Sequence, residues 1–367
     1  MKGLIPISAL GGLGVLSAFL FPRLFQGIPV YDPTLGLDVG FFVRPGLQFS
    51  GANKYQACLL AMNIAVMFCA ITIPGEIRKP VRSFLISFLV LLGIVITQFA
   101  FLFAGLSFPY SLLNNDKDYT LSNASLALGL ARPNGTFSEP SMAGTIMAAV
   151  FLGHFALYLK EGKGLLMLVL SIVGVLIVAS GATFPAIAVG VLLVLLRYPL
   201  MRFPFYIKVR RLKRSSILLG TLALALLSLL IPSVRETLAN QVLNKEASIS
   251  FVSRTSADLY ALQLAARTHG IGVGLGSNRP ASLLAMIIST MGIAGLALFA
   301  AMVFRLFQNP VGQYFWLKWA ALGLIVDMAA GVPDISFPLL WIVLALVGRA
   351  ARAEKENHDP GPLLTPG

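Results

Sequence analysis

The stretch RPNGTFSEPSMAGTIMAAVF, Arg132 to Phe151, changes character at Pro140. The residues after the proline are apolar enough to enter a lipid bilayer. Before it stand an arginine, an Asn134-Gly135 turn and a glutamate, all at the mouth of the same helix. Proline suits the first helical position, where its missing N–H would have had no partner. The stretch reads as the end of a membrane-spanning helix with ionisable groups at its rim.

The rest of the chain has the same character. Of 367 residues, 57% are hydrophobic and 12% charged, and the mean hydropathy is +0.83. Soluble domains carry roughly 25% charged residues, so an integral membrane protein is expected. A helix of about 20 apolar residues crosses roughly 30 Å of hydrocarbon. The apolar runs are continuous, not alternating, which excludes a membrane β-barrel. Ten such runs stand near 3–22, 56–74, 84–107, 140–159, 164–181, 183–196, 216–232, 281–304, 314–331 and 335–350. The expected fold is all-α: one polytopic transmembrane helical bundle over 1–350 with about ten spans, then a disordered tail at 351–367. The run at 183–196 is short and begins beside Pro185, which suits a kinked or re-entrant segment. No small-x-small cleavage site follows the first run, so it is kept as a span.

Charge orients the bundle. With a cytoplasmic N-terminus and ten spans, both termini lie inside, and the inner side gathers 18 basic and five acidic residues. Seven of the basic residues lie in the loop 197–215. The outer side carries 10 of each sign, so the whole net charge of +13 falls inside, as topology selection requires. The basic loop is therefore a topology and lipid-headgroup feature, and nucleic acid is not an expected partner. Cys58 and Cys69 share one apolar run and cannot bridge. Histidines at 154, 269 and 358 are too scattered for a metal site, so no metal or cofactor is expected.

Three outer segments are long enough to build a site: 23–55, 108–139 and 233–280. In the second, Glu139 sits at the N-terminus of a helix, beside the positive end of its dipole. It either caps that helix or is a partly buried carboxylate suited to general-base work. Arg132 is either an interfacial snorkelling arginine or a bidentate phosphate ligand. Asp116 and Asp118 read as a solvated loop pair. In the third segment, SRTSADLYALQLAARTHG predicts an amphipathic helix, capped by Ser253 or Ser256 and stopped by Gly270. Leu259, Tyr260, Leu262 and Leu264 give it an apolar side facing the bundle, and Arg254 stands at its opening.

The glycines of GIGVGLGSNRPAS, at 270, 272, 274 and 276, let backbone pass close to a neighbour and offer amides to an anion. Arg279 comes next, one residue before Pro280 opens a span. Three arginines thus stand near one outer vestibule, where hydrogen bonds to a bound anion are worth about 1.5–3 kcal/mol each. On the same side, Asp327 lies within or near the ninth run and Asp334 heads the tenth, as supporting carboxylates. A carboxylate at bilayer depth costs roughly 2.5–3.5 kcal/mol, so Asp327 is expected to pair with one of the arginines.

RPNGTFSEPSMAG and GIGVGLGSNRPAS, each leading into a span, resemble the two signature regions of Wzy-type O-antigen and exopolysaccharide polymerases. The large outer loop late in the chain and the PDISFPLLW ending are similar too, and the resemblance covers roughly 108–345. It implies a GT-C-like fold in a bacterial inner membrane and an active site facing the periplasm. The implied activity is metal-independent transfer of a glycan from undecaprenyl diphosphate onto a lipid-linked repeat unit, with a chain-length regulator as a protein partner. Carried onto this chain, Arg132, Arg254 and Arg279 would bind the donor diphosphate, and Glu139 would be the acceptor base, with His269 in reserve. The related ligases carry a histidine in an HN pair after the glycines, where this chain has SNRPAS. That favours polymerase over ligase, with a lipid-linked saccharide flippase or transporter as the reading from another class.

Overall fold

The computed structural model describes residues 4–35, 43–113, 126–127, 130–195 and 249–358. Among these residues ten α-helices carry the fold: α1 (Leu4–Leu24), α2 (Gly51–Thr72), α3 (Arg78–Phe103), α4 (Pro140–Glu161), α5 (Leu165–Val178), α6 (Thr183–Leu195), α7 (Ile249–Arg267), α8 (Leu283–Gln308), α9 (Trp316–Gly331) and α10 (Pro338–His358). A two-residue antiparallel ladder joins β1 (Leu126–Ala127) to β2 (Leu130–Ala131). Every expected span within the described residues coincides with a helix. The run at 216–232, the basic loop 197–215, the segment 233–248, Asp116 and Asp118 lie outside them.

Length separates these helices. Five of them, α1, α2, α3, α4 and α8, are long and apolar enough to cross a membrane. Helices α5 and α6 are apolar but have only 14 and 13 residues, which is about 20 Å each. Between them Ala179 adopts a left-handed backbone, φ 46°, and ends α5 before the apolar run is exhausted. Pro185 falls in the first turn of α6 and kinks nothing. The chain is a multi-pass helical membrane protein; among the described residues, five of the nine apolar runs form helices long and apolar enough to cross a membrane.

Contacts between neighbours sort the helix ends into two layers. In one layer, the Asn53 amide at the start of α2 donates to the Leu275 carbonyl at 2.7 Å. Ser336, just before α10, reaches the Gln56 carbonyl at 3.5 Å. In the other layer, basic side chains cap helix C-termini, where the dipole favours a cation. Arg349 donates to the Ala70 carbonyl at 2.7 Å, Arg352 to that of Ile71 at 3.1 Å and also to that of Thr72, and Lys318 to that of Phe307 at 2.7 Å. Residues 351–358 continue α10 as helix, with Arg352 bonded to the end of α2. Up to 358, the expected disordered tail is helical, and its one arginine, Arg352, satisfies carbonyls at the end of α2.

Helix α4 is the most buried of the five spans and packs most extensively on α9. Small residues permit the approach: a Cβ on Gly323 would lie 2.9 Å from the Ala148 carbonyl oxygen. The glycine-rich stretch plays the same part elsewhere. Gly272 (φ +92°) has Thr290 backbone 2.7 Å from where a Cβ would stand, and Gly276 (φ +81°) has the Ala52 carbonyl at 2.6 Å. These glycines thread the chain between α2 and α8. Their neighbourhood offers few free amides to an anion. Gly272 N–H donates to Thr268 Oγ1, Val273 and Gly274 to the Ser289 and Thr290 carbonyls, and Leu275 to Ser17 Oγ. The close-approach half of the expectation stands, and the anion-cradle half is corrected.

Helix α7 is already helical at Ile249, so Ser253 and Ser256 are interior residues, not caps. Tyr260 and Leu264 are buried against Val30, Tyr31, Leu47 and Val273, and the Tyr260 hydroxyl donates to the Pro29 carbonyl at 2.8 Å. Leu259 and Leu262 face outward instead, 56% and 50% exposed. The apolar residues divide between opposite faces of the helix.

Candidate functional site

At the layer formed by the start of α4, the end of α9 and the lead-in to α8 lies a small pocket of about 30 Å³, partly open to solvent. Glu139, Ser141 and Met142 line it from α4, Arg254 from α7, Arg279 and Ala281 from the segment entering α8, and Gly331 to Pro333 from the end of α9. Three of the residues singled out from sequence, Glu139, Arg254 and Arg279, therefore share one cavity although they lie far apart in the chain.

Local structure explains each position. Glu139 occupies the N-cap of α4 in extended backbone, and Pro140 opens the helix. Its side chain makes no capping bond. It accepts the Ser141 hydroxyl at 3.1 Å and stands 3.9 Å from the Arg254 guanidinium, both side chains about a third exposed. The carboxylate thus faces the pocket instead of closing its own helix. Arg279 is held through its backbone, whose N–H donates to the Tyr31 carbonyl at 3.0 Å, leaving an exposed side chain.

Arg132 lies next to this group without lining the cavity. Its guanidinium donates to the Ala179 carbonyl at 3.2 Å, in the turn between α5 and α6. Burial, and then the Arg254 guanidinium nearby, lower its pKa from the ordinary arginine value, while Glu139 acts in the opposite direction. Its segment is fixed by a residue that sequence reading passed over. The Gln98 amide of α3 both donates to the Gly135 carbonyl and accepts its N–H, each at 2.8 Å. A buried glutamine in a span is a signal that it has such a partner, but the sequence does not name the partner.

Asp258 is the second residue missed. It lies one turn beyond Arg254 on α7, and its carboxylate accepts the Ala281 and Ser282 N–H groups at 2.7 and 3.1 Å. It thereby satisfies the opening of α8, whose own N-cap residue, Ser282, makes no side-chain cap. This ties the helix bearing Arg254 to the segment bearing Arg279. Burial raises its pKa above the ordinary carboxylate value, opposed by those hydrogen bonds and by Arg254. Asp334 is similar: burial raises its pKa, while the Ser336 amide (2.8 Å) and the Arg279 charge oppose it.

Two expectations are corrected. Asp327 lies one turn below the pocket floor at Gly331, about 6 Å along the helix, and is fully buried. Among the described residues it pairs with no arginine, and neither carboxylate oxygen makes a hydrogen bond. The Thr183 hydroxyl lies beside it without a well-aligned bond. The reason is helix packing: α9 lies against α4 and α6, and α6 begins at Thr183. His269 ends α7 in left-handed backbone, φ 53°, with its side chain exposed. It stands about 20 Å along the helix from Arg254 and does not reach the pocket.

Three guanidinium groups (Arg132, Arg254, Arg279) are therefore interleaved with three carboxylates (Glu139, Asp258, Asp334). The group is formally neutral, which answers how cations can gather there. Among the described residues, no three metal-ligating side chains come together. None of the known protein-family models, curated proteins or solved structures matches this chain.

Proposed function

We propose that the chain is a membrane glycosyltransferase that polymerises lipid-diphosphate-linked oligosaccharide repeat units, of the O-antigen and exopolysaccharide polymerase kind. The observation that carries this reading is the meeting of Arg254, Arg279 and Glu139 in one open pocket at a helix-end layer. Guanidinium groups suit the oxygens of a diphosphate, and a carboxylate beside them suits deprotonation of an attacking hydroxyl. In the reaction, the acceptor hydroxyl oxygen bonds to the donor's anomeric carbon and its proton passes to Glu139. The anomeric C–O bond breaks and its electron pair leaves on the diphosphate, whose charge the arginines stabilise. Lys318, Arg349 and Arg352 cap helix C-termini at the opposite layer, and this, with the excess of basic residues that the sequence assigns to that side, supports placing the pocket on the periplasmic side of a bacterial inner membrane.

The purified protein supplied with a lipid-linked repeat unit is expected to produce a ladder of lengthened chains. Arg279→Ala is expected to abolish the ladder at unchanged protein level; a normal ladder removes Arg279 from the site. The transporter reading draws support from Asp327, because a buried carboxylate within a bundle is a feature of transport pathways. Its signature would be movement of the lipid-linked saccharide across vesicles without chain growth.

A further inference from the structure

The three carboxylates among the arginines are not held alike. Asp258 is locked by two backbone N–H groups and Asp334 by the Ser336 amide. Glu139 has the Ser141 hydroxyl at 3.1 Å and a long contact of 3.9 Å with Arg254, at the pocket surface. An anion that reaches Arg254 must take its guanidinium from Glu139, the one carboxylate of the three without a backbone N–H to hold it.

We infer that Glu139 gates the pocket as a competing anion. In the empty site it occupies Arg254, and a phosphate-bearing ligand takes Arg254 over and releases Glu139 towards the cavity. This rests on the proposed function and deepens it, because it orders the events. Donor binding frees the carboxylate, and the freed carboxylate is the one positioned to meet an acceptor hydroxyl. Arg279 takes no part in the exchange, since its nearby carboxylate, Asp334, stays on the Ser336 amide.

The test is binding of inorganic pyrophosphate to the full chain in detergent, by calorimetry at fixed ionic strength. Four proteins are compared: wild type, Glu139→Gln, Arg254→Ala and the double variant. Glutamine keeps the shape and can still accept the Ser141 bond, so folding is expected to survive and is checked by the melting temperature. Glu139→Gln is expected to bind pyrophosphate about two- to fivefold more tightly than wild type, the range an exposed ion pair supports. With Arg254 already removed, the same change is expected to leave binding unaltered, because the two residues act through each other. Equal or weaker binding by Glu139→Gln overturns the gate and leaves the pocket an anion site. The same tightening in both backgrounds also overturns it, since the effect would then be general repulsion. Absence of pyrophosphate binding in all four proteins overturns both the gate and the diphosphate reading.

Discussion

Glu139, Arg254 and Arg279 were legible as residues of one pocket for a simple reason. An ionisable side chain at the rim of an apolar run has few structural duties, so its type and place already point to a pocket. Arg132, His269 and Asp327 show where that logic stops. His269 and Asp327 lie within a few residues of a helix end and Arg132 in the lead-in to α4, and the direction of each side chain depends on which neighbour packs there, a fact absent from local sequence. Asp327 is the sharpest case, because a buried carboxylate without a hydrogen bond opposes folding. Asp327→Asn is expected to keep or raise the melting temperature in detergent, by an amount equivalent to about 1–3 kcal/mol. A marked fall would show that the carboxylate has a partner. Asp334 carries a pH dependence. Its pKa is raised by burial, so the fold favours its protonated form. That stabilisation is full below the ordinary carboxylate value of about 4 and is lost as pH rises through the raised value. Melts at pH 4 and pH 7 are expected to differ less in Asp334→Asn, which mimics the neutral form, than in wild type.

At the scale of elements, hydropathy located the helices well and their reach poorly. An apolar run reports that residues avoid water. It does not report that Ala179 turns left-handed and that the runs at 164–181 and 183–196 form rods of only 14 and 13 residues. The glycine stretch shows a similar division. Alternating glycines correctly signalled close backbone approach, while the fate of the amides there was set by Thr268, by the start of α8 and, for Leu275, by Ser17 of α1, far away in sequence. Substitution separates the two kinds of glycine. Gly272→Ala places a Cβ against the Thr290 backbone at positive φ and is expected to destabilise by about 3 kcal/mol or more, seen as loss of monodisperse protein on heating. Gly12→Ala, inside α1 with open space around it, is expected to be neutral or to stabilise by up to about 1 kcal/mol.

For the molecule as a whole, charge carried the most information. Net charge and its placement predicted two unlike faces before any contact was known. The helix ends sort accordingly, with cations capping C-termini at one layer and paired charges ringing the pocket at the other. Cysteine labelling tests the sidedness. In a Cys58→Ser, Cys69→Ser background, Lys54→Cys is expected to react with a membrane-impermeant maleimide on intact cells. Lys163→Cys, on an exposed lysine beside Glu161, is expected to react only after permeabilisation. Reversed labelling would turn the pocket towards the cytosol and remove lipid-linked periplasmic donors from consideration.

The backbone crossings at Gly272, Gly274 and Gly276 also bear on how relatives of this chain will be compared. Those columns will be frozen in any lineage that keeps the architecture, although they touch no ligand and take no part in chemistry. A map of invariance will therefore mark them as strongly as the cavity. The cavity will be told apart by residues that change together, an arginine lost in one lineage alongside the acid that faces it.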